Sequence, residues 1–156
     1  MNMIVLSDSH RHIDNINKIK SKLLNCDYLV HVGDCVEDAK YIQNMRKGIC
    51  CVKGNSDYLT DVPFEKLIDV NGNKIFLTHG HKYHVKISLE RLKFAAQANG
   101  ANIVLYGHTH TPKIIYNDGI MFINPGSVCG NRDGSGASYA EINFIDHEVY
   151  PVIEHI

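Results

Sequence analysis

The sequence lacks several features that would point to a polymer-binding or membrane protein. Basic and acidic residues nearly cancel, at 16 Lys+Arg against 17 Asp+Glu, and no block of basic residues occurs. Neither a nucleic-acid surface nor membrane adhesion is therefore indicated. No apolar run approaches the ~20 residues that span a bilayer, and no charged and apolar leader precedes the first strand-like run. We expect a soluble protein with no membrane partner and no specific nucleic-acid polymer partner.

Regular cysteine spacing is also missing. The five cysteines are odd in number and irregularly placed, and no Cys-x-x-Cys pair occurs. Neither a disulfide framework nor a thiolate zinc site is indicated, and a reducing cytoplasm is the expected location. No repeat, low-complexity segment or linker interrupts the chain, so residues 1–156 are predicted to form one domain.

Apolar runs and amphipathic stretches alternate in the first third of the chain. Strand-like runs cover Met3 to Leu6, Tyr28 to Val32 and Ile49 to Val52. Helical patterns over Asp14 to Asn25, with Asp14 as the expected N-cap, and over Val36 to Arg46 separate them. This βαβαβ order predicts a parallel sheet at the start of the fold.

The rest of the chain is rich in hairpin patterns. A helix is predicted from Ser88, its candidate cap, to Asn99, with Gly100 as terminator, followed by a strand from Asn102 to Tyr106. Together these elements indicate an α/β (α+β) sandwich with helices on its outer faces. The three predicted hairpins cover residues 66–78, turning at Asn71-Gly72-Asn73; 114–124, turning at Asn117-Asp118-Gly119; and 139–153, turning near Asp146-His147.

Five strand-like runs end in oxygen or imidazole side chains, often beside a glycine. Any one of them has an ordinary alternative, since such an aspartate is more often a helix cap or turn residue and a lone histidine is more often a core or surface residue. Five together at the carboxyl edges of strands favour a ligand site. Asp8 and His10 are two apart, so in an extended backbone they would point to the same side. The five ends are Asp8-Ser9-His10, Gly33-Asp34, Gly54-Asn55, His79-Gly80-His81 and Gly107-His108-Thr109-His110.

These ends supply seven candidate metal ligands of mixed hardness. Seven are too many for one tetrahedral ion and suit two ions of four to six coordination. Only two of them are anionic, so two divalent cations would leave the site positive and attractive to phosphate. Two metals roughly 3.5–4 Å apart can share a hydroxide and bind a phosphoryl oxygen, which suits phosphate ester hydrolysis. The seven are Asp8, His10, Asp34, Asn55, His79, His108 and His110.

With these motifs the chain resembles the calcineurin-like metallophosphoesterase superfamily, specifically its minimal branch of small bacterial and archaeal phosphodiesterases. The resemblance implies a four-layer αββα sandwich of two mixed β-sheets flanked by helices. It also implies that Asp34 bridges two metals, with Asp8, His10 and His110 on the first and Asn55, His79 and His108 on the second. The motifs run in order from residue 8 to 127 and add Ser56-Asp57, Thr78 and Asn124-Pro125-Gly126-Ser127 to the five strand ends.

The function that follows is a metal-dependent phosphoesterase, expected to be a phosphodiesterase acting on a small phosphoester through a metal-bridging hydroxide. Manganese is the expected ion, and the same ligands accept nickel, iron, zinc or magnesium. Asp34, Asn55 and His81 are the predicted catalytic residues. The physiological substrate cannot be read from the sequence. A homo-oligomer formed through the edge strands of the C-terminal hairpins is left open.

The sequence departs from the family pattern at two places. Many larger relatives carry a histidine after the metal-binding asparagine to protonate the leaving oxygen, but this chain has Ser56. The general acid is then unassigned, and His81 and His12 are candidates for substitute polar contacts. After the Asn-Pro-Gly-Ser motif the branch often has Pro-Arg. Here Arg132 stands a little further on, and a phosphate contact and a solvated loop are equally favoured for it.

Two other functions fit parts of the sequence. The retromer complex contains a subunit of this fold that works mainly through protein contacts and has lost some metal ligands, whereas this chain retains all seven. His10-Arg11-His12 also resembles the His-x-His of other metal hydrolases. An amidohydrolase barrel would need roughly 250 residues, and Ile13-Asp14-Asn15 does not supply the Asp-His of a metallo-β-lactamase.

Overall fold

Ten strands and four helices make up the structure, a computed structural model that describes residues 1–156. A short 3₁₀ turn covers His81–Tyr83. The helices are α1 (Ile13–Lys18), α2 (Lys20–Asn25), α3 (Val36–Met45) and α4 (Glu90–Ala98). The strands are β1 (Asn2–Leu6), β2 (Tyr28–His31), β3 (Ile49–Cys51), β4 (Glu65–Val70), β5 (Asn73–Thr78), β6 (Ile103–Leu105), β7 (Lys113–Asn117), β8 (Ile120–Asn124), β9 (Ser138–Ile145) and β10 (Glu148–His155).

The first sheet has the strand order β10-β9-β1-β2-β3. Its strands β1, β2 and β3 are parallel, which confirms the βαβαβ prediction. The antiparallel strands β9 and β10 extend the sheet on the other side of β1. The carboxyl ends of these three parallel strands therefore lie at the same edge of the sheet.

The second sheet has the order β4-β5-β6-β8-β7. The pairs β4–β5 and β7–β8 are antiparallel hairpins, and β6 lies parallel to both β5 and β8. The predicted turns are confirmed. Asn71 and Gly72 have φ of 53° and 78°, as the two-residue turn of a tight hairpin requires. Asp118-Gly119 and Asp146-His147 turn in the same left-handed region.

Three apolar clusters define four layers. One lies between the sheets, where Val5 and Val30 meet Leu77 and Leu105. A second joins the outer face of the first sheet to α1, α2 and α3, and a third joins the second sheet to α4 through Leu92. Burying each such side chain stabilises the fold by about 1.5–3 kcal/mol. The predicted αββα sandwich is confirmed, and none of its helices is long and apolar enough to cross a membrane.

The predicted start of α3 at Val36 is confirmed, but the starts of the other two predicted helices differ. The stretch Asp14 to Asn25 forms two short helices, because Ile19 donates its N–H to Ile16 in a tightened turn. Asp14 is not the N-cap; His12 is, and Asp14 lies in the first turn, where a carboxylate favours the positive end of the helix dipole.

The helix α4 begins at Glu90 rather than at Ser88. Leu89 occupies the N-cap position, and no side-chain hydrogen bond caps the helix, so Ser88 is not its cap. The predicted terminator is confirmed. Gly100 has φ of 64°, and the N–H groups of Gly100 and Ala101 bond back to the last turn of the helix.

Candidate metal centre

The two sheets bring their polar strand ends to a common site. The loops after β1, β2 and β3 come from the first sheet, and those after β5 and β6 come from the second. Hydrogen bonds join the sheets there directly, among them one from the backbone N–H of His108 to Asp8 Oδ2 at 3.0 Å. The ligand atoms of Asp8, Asp34 and His79 all lie within 4.8 Å of one another, and those of His10, His110 and Cys129 form a second such group.

The carboxylate of Asp8 is fully buried, and only one of its oxygens is bonded within the chain. Oδ2 accepts hydrogen bonds from Ser7 Oγ at 2.5 Å and from His108 N–H. Oδ1 has no hydrogen-bond partner, although His110 Nε2 lies 3.0 Å away. Burial alone would raise the pKa of Asp8, but the His110 and His79 imidazoles outweigh it and lower the pKa. An ionised, unpartnered oxygen facing a ring nitrogen is suited to a shared cation.

The carboxylate of Asp34 lies between histidines of both predicted metal sets. Its Oδ1 accepts the N–H of Ser56 at 2.9 Å. Its Oδ2 lies 3.3 Å from His79 Nε2 and 3.8 Å from His10 Nε2. Burial would raise the pKa of Asp34, but His79 and the bond from Ser56 hold it well below its usual range. Asp34 is thus an ionised carboxylate in reach of both predicted sets.

The ring of His79 is held in one orientation. Its Nδ1 donates to the carbonyl of Val32 at 2.8 Å, since a carbonyl can only accept. Its Nε2 is buried without a hydrogen-bond partner and faces Asp34 Oδ2 and Asp8 Oδ1. Burial lowers the pKa of His79, yet the two carboxylates raise it overall in the absence of a cation. Fixing the remote nitrogen in this way is typical of a histidine that binds metal.

The other histidines pack around this group. His10 and His110 stack with ring centroids 5.3 Å apart, and the His108 ring lies 5.1 Å from that of His79. Burial and the proximity of His79 lower the pKa of His108 to about 4. The same two causes lower the pKa of His81, whose buried Nδ1 has no hydrogen-bond partner. Both imidazoles are therefore neutral at pH 7.

The backbone at the ligands is strained. Asp8, His10, Asp34, His108 and His110 have φ of 51°, 41°, 56°, 70° and 54°, in the left-handed region that residues other than glycine avoid. An extended backbone at Asp8 and His10 was assumed from the sequence, and this assumption was wrong. A turn, not a strand, presents both side chains. Strain of this type accumulates at functional sites, where the surrounding structure enforces it.

Two glycines leave room for the carboxylates. A Cβ atom at Gly54 would collide with Asp34 Oδ1, and one at Gly107 would collide with Ser7 Oγ and press on Asp8 Oδ2. The Asp34 carboxylate takes the space beside Gly54, and Ser7 with the Asp8 carboxylate takes the space beside Gly107.

Several predicted residues lie at the rim. Asn55 is exposed, but both of its neighbours are fixed, because Gly54 donates to Asp57 and Ser56 donates to Asp34. His12 bonds through Nδ1 to the carbonyls of Ser9 and His10, which fits a helix-entry residue rather than a substrate contact. Arg132 is exposed, and its backbone N–H bonds to His110.

Three supporting residues were missed from the sequence. Asp57 accepts the N–H groups of Asp34, Cys35, Val36 and Gly54, and its place in the Gly-Asn-Ser-Asp motif was the available indication. Cys129, dismissed for lack of a Cys-x-x-Cys pair, places its Sγ 3.9 Å from His110 Nδ1. Ser127 Oγ donates to the carbonyl of Asp8. Only the folded chain brings these atoms together.

The donor set fits divalent cations. Two carboxylates and a group of imidazoles combine hard oxygen with borderline nitrogen, as manganese, iron and zinc accept. The unpartnered buried atoms Asp8 Oδ1 and His79 Nε2 lie 3.8 Å apart and need a positive charge between them. Fold and site together define an αββα sandwich with a candidate metal centre.

Comparison with known proteins gives the family. The calcineurin-like phosphoesterase superfamily domain matches residues 1–146, and the chain belongs to this superfamily. A phosphodiesterase of Methanocaldococcus jannaschii is 31% identical over 152 residues, covering 86% of this chain and 88% of the relative. The crystal structure of a predicted phosphoesterase from Streptococcus pneumoniae superposes with a TM-score of 0.85 at 29% identity, covering 99% of this chain and 88% of that one.

The same fold also occurs in Vps29, a protein named for vacuolar protein sorting. A Vps29 variant from Entamoeba histolytica superposes with a TM-score of 0.80 over 100% of this chain and 99% of that one. At 21% identity, this similarity shows the fold alone.

Proposed function

We propose that the protein is a dinuclear metal-dependent phosphodiesterase. The observation that carries the proposal is the placement of Asp34 Oδ2, 3.3 Å from His79 Nε2 and 3.8 Å from His10 Nε2. A carboxylate oxygen in reach of histidines from two separate ligand sets is what a shared ligand requires. The superfamily and the named phosphodiesterase relative support hydrolysis of a phosphate ester.

The proposed ligand sets follow the motifs. Asp8, His10 and His110 would hold one ion, Asn55, His79 and His108 would hold the other, and Asp34 would contact both. Manganese is the ion we expect. When bound, two such ions supply Lewis-acid stabilisation of the phosphoryl oxygens and lower the pKa of a water molecule to make it a nucleophile.

The chain's own residues orient these ligands. Val32 fixes the His79 ring through Nδ1, and Ser7 with the N–H of His108 fixes Asp8 Oδ2. The N–H of Ser56 holds Asp34 Oδ1 and leaves Oδ2 free. These hydrogen bonds hold His79, Asp8 and Asp34 in place before a cation binds, which lowers the cost of binding.

No group at the site is placed as a strong general acid. The pKa of His81 is lowered, so its ring is neutral at pH 7 and can donate a hydrogen bond to a phosphoryl oxygen but is a poor proton source. Ser56 is exposed and has no acidic side chain. Esters whose alcohols leave readily as anions should therefore react faster than alkyl esters.

A protein-interaction function is the second candidate, favoured by the fold shared with Vps29. Here all seven predicted ligands are present, and two buried atoms that would be orphaned without a cation, Asp8 Oδ1 and His79 Nε2, face each other. These features support metal chemistry. A manganese-loaded protein that turned over no phosphodiester would favour the interaction function instead.

The test compares Asp34→Ala with Ser56→Ala. Metal content is measured by mass spectrometry, and activity is measured with bis(p-nitrophenyl) phosphate. We expect Asp34→Ala to lose metal from both sites and at least ~100-fold in rate, because a 10²-fold loss is typical when positioning fails. Ser56→Ala should stay within a few-fold of wild type, since its backbone N–H remains. Full activity in Asp34→Ala would overturn the shared-ligand assignment.

A further inference from the structure

A cleft opens directly beside the proposed metal centre. It has a volume of about 370 Å³, within the range of small-molecule sites. His10 and Ser56 line it together with the loop of residues 57–60 and the start of α3. Because His10 is a proposed metal ligand and Ser56 follows another, an ester bond at the metal centre would place one of its two alcohol groups in this cleft.

Two apolar side chains in the cleft are left uncovered by the rest of the chain. Tyr58 is 85% exposed and Leu59 is 100% exposed. They are adjacent on the loop that follows the proposed ligand Asn55, and both line the cleft. An aromatic and an aliphatic side chain beside a site of this size are the type of surface that binds a flat apolar group.

The charges of the cleft argue against a second phosphate there. Arg11 and Lys40 are opposed by Glu37 and Asp57. Arg11 already lies 3.6 Å from Glu37, and the Asp57 carboxylate is occupied by backbone N–H groups. The cleft is therefore nearly neutral, whereas the adjacent metal centre would be cationic. The phosphate of an ester would bind at the metals, and its uncharged group would bind in the cleft.

We infer that Tyr58 and Leu59 bind a planar aromatic group carried by the phosphodiester substrate, an aryl or a nucleobase group. This inference rests on the proposed function, since it assumes that the phosphate lies at the metal centre. Tyr58 and Leu59 are specificity residues; they touch the substrate away from the reacting atoms. Stacking on Tyr58 supplies affinity without a requirement for one particular ring.

The experiment measures binding of three phosphate monoesters to manganese-loaded protein by calorimetry. Methyl phosphate tests the metal centre alone, phenyl phosphate adds an aryl ring, and thymidine 5′-monophosphate adds a nucleobase. We expect the two aromatic ligands to bind wild type tighter than methyl phosphate by about 5- to 100-fold, the range that one stacked ring contributes. Tighter binding of the nucleotide would identify a nucleoside ester, and tighter binding of phenyl phosphate would identify an aryl ester.

Three variants locate the effect. Tyr58→Ala should abolish most of the aromatic advantage and leave methyl phosphate binding and manganese content unchanged, whereas Tyr58→Phe should retain it. Tyr150→Ala removes another exposed tyrosine, on β10, and should bind all three ligands as wild type does.

The inference and the proposed function fail in different ways. If Tyr58→Ala keeps the full aromatic advantage, or if methyl phosphate binds wild type as tightly as the aromatic ligands, the cleft does not bind the ester group. If wild type holds no manganese and binds no phosphate monoester, the proposed function itself is wrong.

Discussion

The Asp57 carboxylate ties together two loops of the metal centre. Its Oδ1 accepts the N–H groups of Cys35 and Val36 at the start of α3, and its Oδ2 accepts those of Asp34 and Gly54. The loop that carries one proposed ligand is thereby fixed to the loop that carries the next. An ionised acceptor makes strong hydrogen bonds. This one side chain therefore orients residues that are not its immediate neighbours in the sequence.

We predict that Asp57→Ala destabilises the fold and loosens metal binding together. Loss of a charged acceptor for four N–H groups should lower the free energy of unfolding by about 2–4 kcal/mol. Loss of such a supporting partner should weaken metal affinity about 10- to 100-fold. Urea unfolding and manganese titration measure the two effects, with the exposed neighbour Asp61→Ala as control. Wild-type metal affinity in Asp57→Ala would contradict this role.

At the residue scale, the sequence predicts a residue's role where the signal is local, and fails where the role depends on partners in distant loops. Six of the seven proposed ligands lie just past buried strands and were found because parallel strands share an edge; Asn55 was found in the same way but lies at the rim. The roles of Asp57 and Cys129 could not be predicted. Their partners come from other loops, and only tertiary packing brings those loops into contact.

At the scale of elements, strands, hairpins and the start of α3 at Val36 were predictable, whereas the caps of α1 and α4 were not. Strand ends are marked by local chemistry, as at Asn71-Gly72 and Asp118-Gly119, whose left-handed turns suit these residue types. A capped helix start requires a side-chain oxygen that reaches the free N–H groups of the first turn. Ser88 looked like such a cap, but Leu89 occupies the N-cap position without a side-chain hydrogen bond, and the helix begins at Glu90.

The helix α4 offers a direct test of its one-sided packing. Leu92 is fully buried against the second sheet, whereas Phe94 on the same helix is 64% exposed. We predict that Leu92→Ala lowers the free energy of unfolding by about 2–5 kcal/mol, while Phe94→Ala changes it by less than about 0.5 kcal/mol. Chemical denaturation checks both values. Equal losses in the two variants would show that α4 packs differently.

At the scale of the whole molecule, the proposed metal centre lies where the two sheets meet. Asp8 and Asp34 come from the first sheet, while His79, His108 and His110 come from the second. The apolar cluster between the sheets ends at this edge. There the sheets are in contact through polar groups, with His79 facing Asp8 and Asp34. Cations bound by ligands from both sheets would join them in the folded state only.

Metal binding should therefore raise thermal stability. At a free manganese concentration 100-fold above the dissociation constant, each site adds about 2.7 kcal/mol to the free energy of unfolding. For a chain of this size that corresponds to about 5–10 °C in Tm per site. Calorimetry with manganese and then with a chelator measures the shift, and Asp34→Ala supplies the comparison. An unchanged Tm in wild type at saturating manganese would mean that the ligands do not bind across the sheets.

The left-handed backbone at the ligands has a consequence for protein engineering. Each of Asp8, His10, Asp34, His108 and His110 holds a conformation that costs an L-residue on the order of 1–2 kcal/mol. Glycine at any of them would relieve that cost and remove a ligand in the same step. A library selected for heat resistance alone, in metal-free medium, would thus be drawn toward inactive sequences, so thermostable variants have to be selected with the cation present.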